Sequence, residues 1–214
     1  MHITTADERF WNRTARKYAA DPIKDMAGYE RTLCRTRELL GPTSTVLEIG
    51  CGTGSTALLL ASSVGQIEAS DISSEMIAIA GEKARAAGCC NVSFSVASAD
   101  GATVLEGAYD AILAFNILHL VADRRAVLAS VRRQLKPGGL LISKTPCLSE
   151  MNSLIRLAVP VARLFGKAPS VAFFPGEQLE AEIAASGFTI IERARHGSGR
   201  RDPRLFVVAR KVET

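Results

Sequence analysis

The fold of this 214-residue chain is decided by one stretch, Val46-Leu47-Glu48-Ile49-Gly50-Cys51-Gly52-Thr53-Gly54-Ser55. The pattern predicts a short buried strand that ends in alternating glycines immediately before a helix. Glycines at such a turn permit positive φ and let a ligand approach the backbone, while the helix that follows offers unpaired N–H groups. We therefore expect a ligand to bind on this turn.

The spacing of the glycines narrows the class of ligand. A dinucleotide fingerprint, G-x-G-x-x-G, would require glycine at position 55, where this chain has Ser55 and places Gly54 one residue earlier. The turn also lacks the Gly-Lys-Ser/Thr of a P-loop, so no lysine meets a triphosphate there. The pattern is G-x-G-x-G, which counts against a nicotinamide-dependent oxidoreductase, a weaker alternative.

Outward from this turn, short apolar runs alternate with helical segments, as in a chain of βαβ units. Strands are predicted at 45–49, 67–71, 92–97, 109–115, 139–145, 188–193 and 204–210. Helices are predicted at 7–20, 27–40, 55–64, 73–87, 123–135, 151–165 and up to Ser186. The fold class is therefore α/β, a Rossmann-like, doubly wound, mostly parallel sheet with an antiparallel final strand. One domain is expected, with an N-terminal helical cap (1–41), a core (45–145), an inserted lid (146–176) and a C-terminal helix and hairpin (177–214).

Composition excludes several other classes of protein. Apolar residues make up 47% and charged residues 22%, which is typical of a globular chain. The net charge of +4 comes without a basic run, so nucleic acid as a partner is unsupported. Five cysteines without a CxxC pair and only three histidines argue against disulfides and against a metal site. With no signal-peptide pattern and no apolar run of spanning length, we expect a cytoplasmic protein.

The residues 48–54 match, one for one, the first motif E/D-x-G-x-G-x-G of class I S-adenosylmethionine-dependent methyltransferases, and the sequence resembles the small-molecule (type 11/12-like) members. Further matches are the run from Tyr109 to His119 and the turn Leu135-Lys136-Pro137-Gly138-Gly139, so the resemblance spans about 45–145. It implies that the turn holds the amino-acid end of S-adenosylmethionine, with Glu48 orienting it. S-adenosylhomocysteine would be the product.

The resemblance also implies the remaining cofactor contacts. Asp71, at the end of the second strand, would take both ribose hydroxyls, because a carboxylate offers two acceptors side by side. Ile72 and Met76 would pack on the adenine. The acid expected after the third strand is displaced here, so Ser98, Ala99 and Asp100 share that position. The full set of implied cofactor-binding residues is Tyr18, Glu48, Gly50, Cys51, Gly52, Gly54, Asp71, Ile72, Met76, Ser98, Ala99, Asp100, Phe115 and Asn116.

Methyl transfer by in-line displacement depends mainly on alignment and exclusion of water. Tyr18, Tyr29 and Phe115 are candidates for an aromatic face near the sulfonium. If the acceptor is a hydroxyl or amine, His119 is the candidate base, although a single histidine at a strand end is more often structural.

The expected acceptor is small, organic and partly apolar, beneath a lid that includes Met151–Phe165. Three alternatives stay open for this segment or the whole chain. The apolar helix could lie on a membrane surface and admit a lipid or quinone acceptor. It could also serve dimer or core packing. The chain could instead be a non-catalytic S-adenosylmethionine-binding or regulatory protein with the same sheet.

Overall fold

The computed structural model describes residues 6–99, 108–151, 158–160, 162–163, 168–199 and 202–212. Its centre is a seven-stranded sheet with the strand order β3-β2-β1-β4-β5-β7-β6. The strands are β1 (Thr45–Ile49), β2 (Gln66–Asp71), β3 (Val92–Val96), β4 (Tyr109–Phe115), β5 (Leu135–Pro146), β6 (Phe188–Ala194) and β7 (Arg204–Lys211). Neighbouring strands pair in parallel except at β7, which is antiparallel to both β5 and β6. The predicted sheet with an antiparallel final strand is confirmed.

Helices cover both faces of this sheet. They are α1 (Ala6–Ala20), α2 (Met26–Leu39), α3 (Ser55–Leu60), α4 (Ser74–Ala86), α5 (Arg124–Gln134) and α6 (Gly176–Ala185), with short 3-10 helices at Ala61–Ser63 and Leu148–Glu150. One core packs side chains of α2 and α3 against the sheet, and the second packs α5 and α6 against its opposite face. Strands β1 and β4 are therefore buried on both faces, which explains their continuous apolar runs.

Side-chain caps fix where the helices begin. Ser73 accepts a 3.1 Å bond from the backbone N–H of Met76 at the start of α4. Asp123 accepts from Ala126 at the start of α5, and its bond is 3.0 Å long. Each cap satisfies a backbone donor that the first helical turn leaves unpaired. Both helices consequently start close to the sheet edge where β2 and β4 end.

The sequence prediction placed the start of β5 four residues too late. The structure starts this strand at Leu135, directly after α5, rather than at residue 139. Leu135 pairs with Tyr109, and the register then shifts so that Leu140 pairs with Ala111. The residues between them, including Gly138 at φ +70°, bulge out of the ladder. A proline and two glycines predicted a loop here, but the segment is an irregular part of the strand.

Much of the predicted 151–165 helix lies outside the described residues. Within it, residues 158–160 and 162–163 are helical. No helix of the described residues is both long and apolar enough to span a bilayer. The lid therefore stays a prediction, as does the division of the chain into the four regions given above.

Candidate active site

The order of the strands reverses between β1 and β4, since β1 lies between β2 and β4. In doubly wound sheets, ligands bind in the crevice that such a reversal opens at the carboxyl ends of the strands. A cavity of about 660 Å³ lies at this position. That volume is within the range of small-molecule sites, roughly 300–1,000 Å³.

The glycine turn forms one wall of the cavity, and its glycines differ in what they face. Gly52 has φ +54°, and an added Cβ would meet nothing closer than Tyr18 Cε1 at 3.8 Å. Gly50 also lines the cavity, but its hydrogen faces Ile117, whose Cδ1 would stand 2.7 Å from a Cβ. Gly52 thus leaves bare backbone facing the space where a ligand would lie.

Gly54 is not among the residues that line the cavity. Its φ is +73°, and an added Cβ would stand 2.7 Å from the Phe94 ring and 2.8 Å from Ala80 Cβ. The position needs glycine because α4 and β3 pack directly against the turn. Its contribution to cofactor binding, which the resemblance implies, would therefore act through the shape of the turn.

Asp71 connects the end of β2 to the glycine turn. Its Oδ2 accepts a 2.9 Å bond from the backbone N–H of Gly52, and its Oδ1 accepts one of 2.9 Å from Ser73. Burial raises the pKa of this carboxyl, although both backbone bonds act in the opposite direction. Each oxygen keeps a second lone pair, so the cavity-lining carboxylate can still accept from two neighbouring hydroxyls.

Glu48, at the end of β1, is the least satisfied polar side chain of this wall. It is only 2% exposed, and its Oε2 has no hydrogen-bond partner within the described parts of the chain. Burial, together with the nearby charge of Asp71, raises its pKa to about 8. An unpaired buried carboxyl that lines a cavity suits a positively charged group on a ligand.

These observations fit the cofactor that the sequence implies. The orphaned Glu48 oxygen suits an ammonium group, and the open face of Gly52 suits the chain beside it. Asp71 offers paired acceptors for ribose hydroxyls. Within the described ranges, no group of three or more His, Cys, Asp or Glu is arranged to hold a metal ion.

Aromatic side chains cover the cavity from several elements. Trp11 and Tyr18 of α1 are in edge-to-face contact at 6.2 Å, and both line the cavity, as do Tyr29 and Phe115. Trp11 also packs against the small core that α1 shares with α4, whereas Tyr18 is 52% exposed. Tyr29 Oη lies 3.0 Å from the hydroxyl of Thr56. Tyr18 and Tyr29 of the opening helices and Phe115 of β4 thus line the cavity, and their place beside the sulfonium stays a prediction.

The other predicted cofactor residues divide into three groups. Ile72, Met76, Ser98, Ala99 and Asn116 line the cavity, the last with the left-handed φ of +54°. Cys51 lines it too, and burial raises the pKa of its thiol, so a small packing side chain is the simplest account of it. Asp100 lies outside the described residues.

His119, the predicted base, is not among the residues that line the cavity. Its Nδ1 is buried without a hydrogen-bond partner among the described residues. Burial lowers the pKa of the imidazole to about 4, so the ring is neutral at neutral pH. A histidine that acts as a base must be neutral, and His119 meets this condition. The base must also reach the acceptor, and His119 does not line the cavity. Its role as the catalytic residue therefore stays a prediction.

Sequence reasoning missed several polar residues that line the cavity: Thr32, Lys83, Lys144 and Arg204. Lys83 donates to the hydroxyls of Thr53 (2.9 Å) and Ser55 (3.2 Å) in the glycine turn. A signal for Lys144 exists, because it is a charged residue near the carboxyl end of a predicted strand, the edge at which ligands bind in such sheets. Arg204 has no local signal, since only the antiparallel path of β7 brings it to this edge.

Comparison with known proteins finds methyltransferases that are similar to this chain. Residues 46–139 match the family model described as a methyltransferase domain. The chain is 28% identical over 185 residues to an O-methyltransferase of Aspergillus sclerotiorum, covering 82% of this chain and 68% of that protein. It is 33% identical over 168 residues to a highly reducing polyketide synthase of Phaeosphaeria nodorum, covering 74% of this chain. The chain spans only 6% of that synthase's length.

Among solved structures, the chain resembles a phosphoethanolamine N-methyltransferase of Haemonchus contortus bound to phosphomonomethylethanolamine and S-adenosylhomocysteine. The TM-score is 0.77 at 17% identity, with 99% of this chain and 61% of that chain covered. At this level of identity the likeness shows the fold alone.

Proposed function

Because residues 46–139 form a methyltransferase domain of the class I S-adenosylmethionine-dependent type, we propose that this chain transfers a methyl group from that cofactor to a small organic acceptor. The domain match confirms the family and the enzyme class predicted from the sequence, and S-adenosylmethionine is the cofactor of that family. The acceptor is the proposed part. The chief support for a small acceptor is the extent of the cavity. It reaches from Glu48 and Asp71 to Lys144, near the end of β5, and Arg204, at the start of β7.

The chain's own residues bind and orient the cofactor. When bound, S-adenosylmethionine supplies a methyl group on a positively charged sulfur. Glu48 and the glycine turn would hold its amino-acid end, and Asp71 would accept from the ribose hydroxyls. Three separate contacts along one ligand fix its direction in the cavity. The sulfonium would then face the remaining space rather than the protein wall.

Alignment is the main catalytic contribution expected of this site. Holding two reactants in line can contribute roughly 7–11 kcal/mol to lowering a barrier. The side chains of Trp11 and Tyr18 would exclude water from the cavity, and their aromatic faces would attract the positively charged sulfur of the cofactor. No nucleophile is required for this chemistry. A base is needed only if the acceptor is a hydroxyl or amine, and His119, the residue predicted from the sequence for that step, does not line the cavity.

The first experiment is a calorimetric titration of the purified protein with S-adenosylmethionine and S-adenosylhomocysteine, with NAD as the control. Saturable binding of the first two and none of NAD is the expected result. Binding of NAD instead would overturn the proposal in favour of an oxidoreductase.

An acceptor screen then follows, in which formation of S-adenosylhomocysteine is measured over small organic acids, alcohols and amines. Turnover of any of them supports the proposed function. Cofactor binding without turnover of any acceptor in a broad screen would favour the non-catalytic alternative. Sedimentation with anionic liposomes tests the membrane alternative, which fails if the protein stays in the supernatant.

A further inference from the structure

Lys144 is a buried cation in the wall of the cavity. It lies near the carboxyl end of β5, where it pairs with Phe115 of β4, and it is 5% exposed. Its Nζ donates to the hydroxyl of Thr32 at 2.7 Å and to the carbonyl of Gly28 at 3.3 Å. An ammonium has three donors, so these bonds leave one for the cavity that Lys144 lines.

The charge of Lys144 is poorly compensated by the protein. Both of its hydrogen-bond partners are neutral oxygens, and no described carboxylate lies within 4.0 Å of its Nζ. Burial lowers the pKa of Lys144 to about 8, and the charge of Arg204 acts in the same direction, whereas the more distant charges of Asp202 and Asp25 raise it. Burying an unpaired charge is costly unless a partner of opposite sign arrives.

Arg204 brings a second cation to the same end of the cavity. It lies opposite Pro146 in the β5–β7 ladder, two residues from the pair of Lys144 with Phe206. Its Nε donates to Asp202 at 2.6 Å and its Nη2 to Asp25 at 2.8 Å. These two bonds leave Nη1 without a hydrogen-bond partner among the described residues.

A purely structural role for Lys144 would be to tie α2 to the sheet. That role needs only a hydrogen-bond donor toward Thr32 and Gly28, and it gives no reason to bury a full charge on a cavity wall. Charged side chains of both signs line the cavity, and Lys83 at the glycine turn and Arg204 both have partners there. Lys144 differs from them because its Nζ is buried and contacts only neutral oxygens of the described residues. A negatively charged group on a ligand would supply the partner that it lacks.

We propose that the acceptor carries an anionic oxygen group, a carboxylate or a phosphate, which binds Lys144 and Arg204 at the β5–β7 end of the cavity. This inference rests on the proposed function, because it names the chemical class of that reaction's acceptor. The anionic group would anchor the acceptor away from the sulfonium. The atom that takes the methyl group would then be set by the distance from this anchor.

The test is calorimetry on protein saturated with S-adenosylhomocysteine, using benzoate, phenyl phosphate and neutral benzamide as probes. We expect saturable binding of at least one anion and much weaker or no binding of benzamide. The stronger of the two anions identifies a carboxylate or a phosphate as the group recognised. If S-adenosylhomocysteine itself does not bind, the proposed function fails, whereas binding of it without either anion overturns only this inference.

Two variants separate the site from a general charge effect. Lys144→Met should weaken binding of the anion at least tenfold while S-adenosylhomocysteine still binds. Lys136→Met removes the same charge from a lysine that is outside the cavity and pairs with Asp110, and it should leave anion binding unchanged. Equal anion affinity in Lys144→Met and wild type would overturn the inference.

A measurement on the wild-type protein avoids dependence on the folding of the variant. An anion stabilises the protonated amine, so its binding should take up protons near pH 8 and weaken as the pH rises further. The charged groups that act on Lys144 are Arg204, Asp202, Asp25 and Arg31, and the nearby His196, whose pKa is lowered chiefly by burial, is already neutral in this range. Anion affinity that does not change between pH 7 and pH 9.5 would contradict the assignment to Lys144.

Discussion

The backbone N–H of Gly52 donates a hydrogen bond of 2.9 Å to Oδ2 of Asp71, which joins the turn after β1 to the end of β2. One carboxylate therefore does two things. It holds the conformation of the glycine turn, and it presents acceptors to the cavity. Substitutions at this position report on both roles, and they can be separated by the choice of side chain.

Asp71→Ala should weaken the binding of S-adenosylhomocysteine by about 1.5–3 kcal/mol, because a charge-assisted acceptor is lost together with the bond to Gly52. Asp71→Asn keeps one oxygen for Gly52 and should lose less. Calorimetric titration of folded protein measures both effects. Asp110→Asn, an acid outside the cavity, is the matched control, and an unchanged affinity in Asp71→Ala would refute the ribose assignment.

Glu48 should release a proton when a cationic ligand binds at pH 7. Its pKa in the free protein is raised to about 8, so the carboxyl is protonated, and an ammonium partner would ionise it. Calorimetry with S-adenosylhomocysteine in two buffers of different ionisation enthalpy measures the number of protons released. Glu48→Gln should abolish most of the release and weaken binding, and an equal release from wild type and variant would contradict this role.

The raised pKa of Glu48 also makes the free energy of unfolding depend on pH. The folded protein keeps the Glu48 proton up to about pH 8, whereas the unfolded chain loses it near the ordinary value of 4.5. The contribution of Glu48 to the free energy of unfolding therefore falls as the pH rises from 4.5 to about 8. Glu48→Gln cannot ionise, so its stability relative to wild type, measured by urea unfolding, should increase from pH 5 to pH 8.

Gly54→Ala should destabilise the protein even though Gly54 does not line the cavity. A left-handed conformation costs a side chain roughly 1–2 kcal/mol, and the new methyl group would collide with Phe94 and Ala80. Thermal unfolding measures the loss. Gly81→Ala is the control, because an added Cβ at that helical glycine meets nothing within 4 Å. Equal unfolding temperatures for the two variants would show that the turn tolerates a side chain.

His119→Gln distinguishes a base from a structural histidine. Because the ring lies outside the cavity lining, we expect kcat with an identified acceptor to stay within tenfold of wild type. Loss of general base catalysis typically costs 10²–10⁴-fold. A loss of that size, with cofactor binding intact and with the acid limb of the pH–rate profile removed, would instead establish His119 as the base.

The side of the cavity formed by Glu48, the glycine turn and Asp71 could be predicted from the sequence, because these residues lie close together along the chain. Glu48 and the glycines are neighbours in the chain, and Asp71 ends the very next strand, so the parallel pairing of β1 and β2 brings them together. The parallel pairing of successive strands follows from the βαβ pattern. Thus the fold class and one side of the cavity needed no information about distant contacts.

The opposite side of the cavity could not be predicted in this way. Lys144 and Arg204 are sixty residues apart, and they meet only because β7 runs antiparallel beside β5. Nothing in the apolar run from Leu205 specifies which strand it joins. The start of β5 was missed for a related reason, since Pro137 and Gly138 favour a loop locally while pairing with β4 keeps the segment in the sheet.

The position of β7 between β5 and β6 ties the far end of the cavity to one pairing event. Until β7 inserts, β5 presents an unpaired edge, and such edges are prone to associate with other chains. Arg204 lies on β7, whereas Glu48 and Asp71 lie on β1 and β2. The far end of the cavity therefore depends on the insertion of β7, and the side that holds Glu48 and Asp71 does not.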